Sequence, residues 1–350
     1  MKRCFALLIA LMLLCLWGCG NASDTPGGTT EDLTPMVGIA LPEESERFSK
    51  EGQFLRSQME AAGYEVVLEF AGLDASLQVS QVQRMLAMGA DCLIIAAVDP
   101  MSLAQTLEAT KVPVIAYDRE LTGCEGVDLA VLFDGYEAGK IMAQYVVEEM
   151  ALDTALEEQR SHTIEFFMGA PEDSNALNRY RGIMAVLQPY LDSGVLQCLS
   201  GRVMFEDTCT IGWEAENAQE NCRRRMRDYY EDRALEICVA ASDVLADGVA
   251  KTLQIAKVET WPVITGQEMT LEAARRIAAG QQVVSALYDY DSMAQVCARG
   301  ALALLSGSAP EINGGTGGVD GYLCYPQTVD KENYKEMLID SGRYKESDIT

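Results

Sequence analysis

Short apolar runs recur along this chain with a helical pattern between each pair, and that alternation constrains its fold more than any other feature. MVGIALP, YEVVLEF, DCLIIAAV and VPVIAY read as the first four strands. EGQFLRSQMEAAG, SLQVSQVQRMLAMG and PMSLAQTLEAT read as the helices between them, closed by Gly63 and Gly89 and opened by Pro100. A second series runs through DLAVLF, HTIEFFMG, VLQCLS, LEICVAA, WPVITG and VVSALY, again with helices between. Near-continuous apolar strands joined by helices require a parallel sheet covered on both faces. About ten strands divide more naturally into two sheets than one. The expected fold is therefore α/β, with two doubly wound parallel-sheet lobes and a ligand cleft between them.

Charge removes several functions. The chain has 350 residues, with 53 acidic against 27 basic side chains and a formal charge of -26. Its only dense basic run, RRRMR at Arg223 to Arg227, reads as a solvated helix face, so nucleic acid is a poor partner. The single histidine, His162, has no neighbouring ligand set and no CxxC occurs, which argues against a metal site. NGGTGG, Asn313 to Gly318, follows no strand and reads as a loop, not a phosphate cradle, and DYDSMAQ has too few ligands for calcium. No cofactor site is expected.

The N-terminus carries an export pattern. Lys2 and Arg3 precede FALLIALMLLCLW, a stretch too short and wrongly flanked for a spanning helix. LWGC resembles the lipobox of bacterial lipoproteins, which makes residues 1–18 a signal peptide and Cys19 the lipidated first residue, although Trp17 is bulky for that motif. Residues 19–35 are rich in Gly, Pro, Ser and Thr, as a flexible leash should be. The expected location is extracytoplasmic, with the body tethered to the membrane by lipid. Eleven cysteines would suggest disulfides in an exported chain, but three belong to the signal and the other eight lack regular spacing. Cys92 and Cys238 lie within apolar runs, where a thiol behaves as a small hydrophobe.

In open parallel sheets ligands bind beyond the carboxyl ends of the strands, and polar side chains gather at those ends here. VPVIAY ends in Asp118 and Arg119; Arg47 and Phe48 follow the first strand. Asp173 and Asn175 stand in GAPEDSNA, Asp243 in AASDV, and Gln267 with Glu268 in TGQE. Carboxylates, amides and guanidinium groups together satisfy hydroxyls, which both donate and accept. Aromatic faces such as Phe48 and Trp213 cover the C–H faces of a pyranose. The set reads as a sugar cleft.

VGIALPEESERFSKEG, QVSQVQRMLAMGADCLIIAAVDP, VPVIAYDRE, FFMGAPEDSNA, VLQPYLDSG, TGQE and DKENYKEMLIDSGRYKE resemble the type I periplasmic binding proteins, in the xylose and multiple-monosaccharide branch of sugar receptors of ABC transporters. That resemblance spans about Val37 to the C-terminus. It implies two lobes joined by three crossings, residues 36–132 plus 289–318 and residues 133–288 plus 319–350, closing on one monosaccharide and presenting it to a membrane permease as a monomer. It also implies ligand contacts at Arg47, Phe48, Asp118, Arg119, Asp173, Asn175, Trp213 and Asp243. Three positions depart from the branch: Glu268 where aspartate is usual, Tyr288 where lysine is frequent, and Gly212 where arginine often precedes the tryptophan. The loss of two cations favours a neutral aldose over a uronate or sugar phosphate.

Two other functions share these features. A sugar-acting enzyme needs a poised acid and base, whereas a carboxylate beside an arginine is held ionised, which suits clamping. A lipoprotein that reports sugar to a membrane receptor or sensor kinase would use the same closing motion as a transporter subunit.

Overall fold

The computed structural model describes residues 34–349; the export pattern, Cys19 and most of the leash lie outside them. Two sheets organise the rest. The first has seven strands in the order β11-β12-β5-β4-β3-β1-β2 and the second six in the order β13-β10-β9-β8-β6-β7. In chain order these are β1 Met36–Leu41, β2 Glu65–Phe70, β3 Ala90–Ile95, β4 Val114–Tyr117, β5 Leu129–Phe133, β6 His162–Phe167, β7 Leu196–Gln197, β8 Ile237–Ala240, β9 Val263–Gln267, β10 Val284–Leu287, β11 Gly314–Thr316, β12 Val319–Cys324 and β13 Gln327–Asp330. All pairings are parallel except β11 with β12 and β10 with β13.

The apolar strands are buried because helices cover them. Val37, Ile39, Leu41, Ile94, Ile115 and Val131 pack on one side of the first sheet, and Ala40, Leu93, Ile95, Val114 and Leu132 on the other. Phe166, Val239, Ile237, Leu245 and Ile264 belong to a separate core in the second lobe. The helices Gly135–Glu149 and Ser174–Asp192 approach so closely that a Cβ on Gly139 would stand 2.1 Å from the Arg179 carbonyl oxygen, and one on Gly182 1.9 Å from that of Tyr136. Those two glycines seat the second helix, and with it Asn175 and Arg179, against the first.

Three local features differ from the sequence expectation. The first helix is Glu46–Ala61, begun by Ser45, whose hydroxyl accepts from the Phe48 amide, so Arg47 and Phe48 lie in its first turn. NGGTGG is no loop: Gly314–Thr316 is a strand, and Gly317 (φ 58°) and Gly318 (φ 86°) form the tight turn into β12. Two consecutive residues at positive φ are what a two-residue hairpin needs, and glycine adopts that conformation without a Cβ clash. Because β12 then pairs with β5, residues 319–324 stand in the first sheet, and the third crossing falls at Tyr325 and Pro326 instead of after Gly318. The other two crossings come at Asp134, between β5 and the helix it caps, and at Tyr288 and Asp289, between β10 and the helix Tyr290–Leu305.

Candidate functional site: a polar cavity between the lobes

Strand β4 ends at Tyr117, and Asp118 follows at φ 64°, a left-handed conformation that aspartate tolerates better than most side chains. The amide of Asp118 still donates to the Val131 carbonyl (3.0 Å), so the sheet holds this residue as its backbone turns. Its carboxylate is almost wholly buried and accepts from the Arg47 guanidinium. Arg47 also donates to Glu51 (2.6 Å), one helical turn away, and Glu51 accepts a hydrogen bond from the Tyr117 hydroxyl behind it. The Arg47 guanidinium carbon lies 3.7 Å from the centroid of the Tyr290 ring and 4.7 Å from that of Phe48. Burial works against its charge, but Asp118, Tyr290 and Glu51 outweigh burial and hold its pKa well above the ordinary value. Glu51 is raised instead, chiefly by burial.

The second lobe supplies the facing wall. Asp173 caps the helix Ser174–Asp192, accepting from the Asn175 amide (2.9 Å) and from the Trp213 indole (3.2 Å). Asn175 reaches across the cleft to donate to the Asp118 carbonyl (3.2 Å), and one turn on Asn178 donates to Glu120 (2.8 Å). Arg179 donates to the Ala241 carbonyl (2.9 Å), with its guanidinium carbon 5.5 Å from the Trp213 ring. Trp213 itself is at φ 57°, beside Gly212 at φ 68°. A Cβ on Gly169 would stand 2.0 Å from the Trp213 ring, so this glycine leaves the space in which the indole lies. We expect Gly169→Ala to push the ring out of place at a cost of about 1–3 kcal/mol. Calorimetric titration should then show ligand affinity several-fold weaker.

These residues enclose a cavity of about 150 Å³, room for about five water molecules at the liquid's ~30 Å³ each. Among the expected residues Arg47, Asp118, Arg119, Asp173, Asn175, Trp213, Gln267, Glu268 and Tyr288 line it. Two do not. Phe48 lies beneath Arg47, buried in the first lobe. Asp243 is fully buried behind β9 and accepts from Gln282 (2.8 Å), Ser285 (2.9 Å) and the Thr270 amide (3.0 Å), an arrangement that leaves it no free face. Its strand end does reach the cavity, but through its neighbours Ser242 and Val244.

Sequence reading missed Phe133, Arg179 and Tyr290, which also line the cavity. Arg179 stands four residues after Asn175, a spacing that shares one helix face and could have exposed it. Phe133 stacks on Tyr288 at 3.9 Å with an interplanar angle of 2°, and Tyr290 meets Phe133 edge-on at 5.2 Å. Tyr288 is thus part of an aromatic wall at the position where lysine is frequent in the branch that the sequence resembles. Glu268, at φ 101°, has its pKa pushed up to about 7 by burial, with Asp243 adding to the shift and Arg179 and Arg47 opposing it.

Three buried polar atoms on the cavity walls, Arg179 Nε, Gln267 Oε1 and Tyr288 Oη, have no protein partner. Burial raises the Tyr288 pKa and the nearby Arg179 tempers that rise, yet no well-aligned hydrogen bond joins the two. Among the described residues no group of three or more histidines, cysteines or acids is placed to hold a metal ion, and the eight cysteines are free thiols. No described helix is long and apolar enough to cross a membrane.

Comparison with known proteins agrees with this architecture. The family described as "Periplasmic binding protein domain" matches residues 37–309. The multiple sugar-binding periplasmic protein SbpA of Azospirillum brasilense is 32% identical over 89% of this chain and 90% of its own length. The multiple sugar-binding periplasmic receptor ChvE of Rhizobium radiobacter is 32% identical over 88% and 90%. Among solved structures, an ABC transporter solute binding protein from Clostridium phytofermentans with bound β-D-glucose superposes with a TM-score of 0.81 at 35% identity, covering 90% of this chain and all of the other. These relatives are solute-binding proteins and not enzymes. With the family's sequence pattern over most of its length and the type I arrangement of two parallel-sheet lobes, the chain belongs to the periplasmic binding proteins, in the branch that contains SbpA and ChvE.

Proposed function

We propose that this protein captures one neutral aldose in the cavity between its lobes and delivers it to an ABC-type importer, exported and tethered to the membrane through Cys19. The observation that carries the reading is a single cavity lined from both lobes by arginines, carboxylates and side-chain amides beside aromatic rings. Hydroxyls, which donate and accept, can pair with each of those polar groups. Phe133, Tyr288 and Trp213 supply faces for a ring's C–H groups. The names of SbpA and ChvE, and the glucose held by the Clostridium protein, support a sugar.

Charge supports neutrality. Three guanidinium groups on the walls, of Arg47, Arg119 and Arg179, face three carboxyl groups, of Asp118, Asp173 and Glu268. A uronate or phosphate would arrive with no surplus cation to meet it, inside a strongly acidic protein. Contacts from both lobes reach the ligand only when the cleft is shut, so the sugar shifts the population toward the closed form, whose surface the membrane partner reads.

Calorimetric titration with glucose, galactose, xylose, arabinose and galacturonate tests the proposal. A neutral aldose should bind most tightly, and Asp118→Ala should weaken it at least tenfold, since each lost charge-assisted bond is worth about 1.5–3 kcal/mol. Tighter binding of galacturonate, or an unaffected Asp118→Ala, would overturn the assignment.

A further inference from the structure

The cleft contains more room than one sugar ring uses. Outside the cavity lies a groove of about 760 Å³, against about 150 Å³ for the cavity itself. It persists although Asn175 and Asn178 already bond across the lobes to Asp118 and Glu120. Arg119, Asp173 and Trp213 line both spaces, so the groove adjoins the cavity across these three side chains. Leu73 (57% exposed) and Met101 (65% exposed) project into it from the first lobe. Leu177 and Trp213 face them from the second lobe, with the polar side chains of Asn178 and Arg181 alongside. An aromatic and aliphatic floor edged by hydrogen-bonding groups has the same amphipathic character as the cavity, and a pyranose ring, apolar on its faces and polar at its rim, matches both.

We propose that this groove is a second sugar subsite, which takes a pyranose ring glycosidically linked to the one in the cavity, so that the protein binds a disaccharide as well as a monosaccharide. The inference rests on the sugar-binding reading above. Binding needs no bond to break: the first ring keeps its contacts with Asp118 and Arg47, and the linked ring lies past Trp213.

The test uses the leash-free protein, residues 34–350, and titration calorimetry. The best-bound monosaccharide is followed by its two 1→4-linked homodisaccharides, α and β. At least one disaccharide should bind within about tenfold of the monosaccharide. The double variant Leu73→Asn with Met101→Asp should weaken that disaccharide at least fivefold and leave the monosaccharide unchanged. A bound monosaccharide with neither disaccharide bound would overturn the subsite and leave the one-ring reading standing; so would a double variant that affects both ligands equally, or neither. A disaccharide that binds where no monosaccharide does would support the subsite and overturn the one-ring reading. Absence of binding by every sugar would overturn both.

Discussion

Arg47→Met should cost about 3 kcal/mol of stability and abolish measurable sugar binding. The reason lies behind the cavity wall, where the Glu51 side chain is 1% exposed and Asp118 is 8% exposed. Arg47 is the cation that Glu51 and Asp118 share, and its own side chain is 30% exposed, so it is the partly wet member of a mostly dry cluster. Removing it leaves Glu51 without its ion-pair partner and Asp118 with only the more distant Arg119 (3.8 Å), and the penalty for uncompensated buried charge exceeds the net value of the ion pairs themselves. Burial already raises Glu51, so in the variant it should take up a proton. The destabilisation should therefore be smaller at pH 5 than at pH 8. Adding Glu51→Gln to Arg47→Met should restore part of the stability without restoring affinity. Urea denaturation of the three proteins, read beside calorimetric titration, separates the two effects. A single variant as stable as the wild type at pH 8 would show that Arg47 does not neutralise this cluster.

Much of this arrangement could be read from the sequence because its determinants are local. Strands β1 to β6 and β8 to β10 announce themselves as continuous apolar runs, and the rule that ligands gather at strand ends located Asp118, Arg119, Gln267 and Glu268 from their positions alone. What stayed hidden depends on which way a side chain turns. Asp243 stands at an expected strand end, yet as the first residue of the helix Asp243–Ala256 it points inward toward Gly266, where a Cβ would come within 2.1 Å of its carboxylate. Arg179 escapes notice because a buried arginine in mid-helix leaves no mark in a hydrophobic pattern. The hairpin of β11 and β12 was obscured by its glycines, since GGTGGVDGY offers few apolar residues with which to register a strand.

Glu268 should make both stability and sugar affinity depend on pH near neutrality. Its pKa in the folded protein is pushed up to about 7, with burial the largest cause, against an ordinary carboxylate value of about 4.3 in an unfolded chain. Between those values the folded protein holds a proton that the unfolded chain has released, so stability falls as pH rises through this window. The full shift would be worth about 4 kcal/mol, and the cavity beside Glu268 admits water, so a loss of about 2 kcal/mol by pH 8 is expected. Glu268→Gln removes the group, and the variant should gain on the wild type progressively from pH 5 to pH 8. Sugar binding should follow the opposite course. A carboxylate that accepts hydroxyl protons is strengthened by the ligand, so binding should pull the pKa of Glu268 down and release a fraction of a proton near pH 7. Wild-type affinity should then rise from pH 5.5 to pH 8, and the apparent binding enthalpy should vary with the ionisation enthalpy of the buffer. The Gln variant should bind more weakly at pH 8 and show neither dependence. A wild type whose affinity is flat across that range, with a buffer-independent enthalpy, would mean that Glu268 stays in one protonation state and accepts nothing from the sugar.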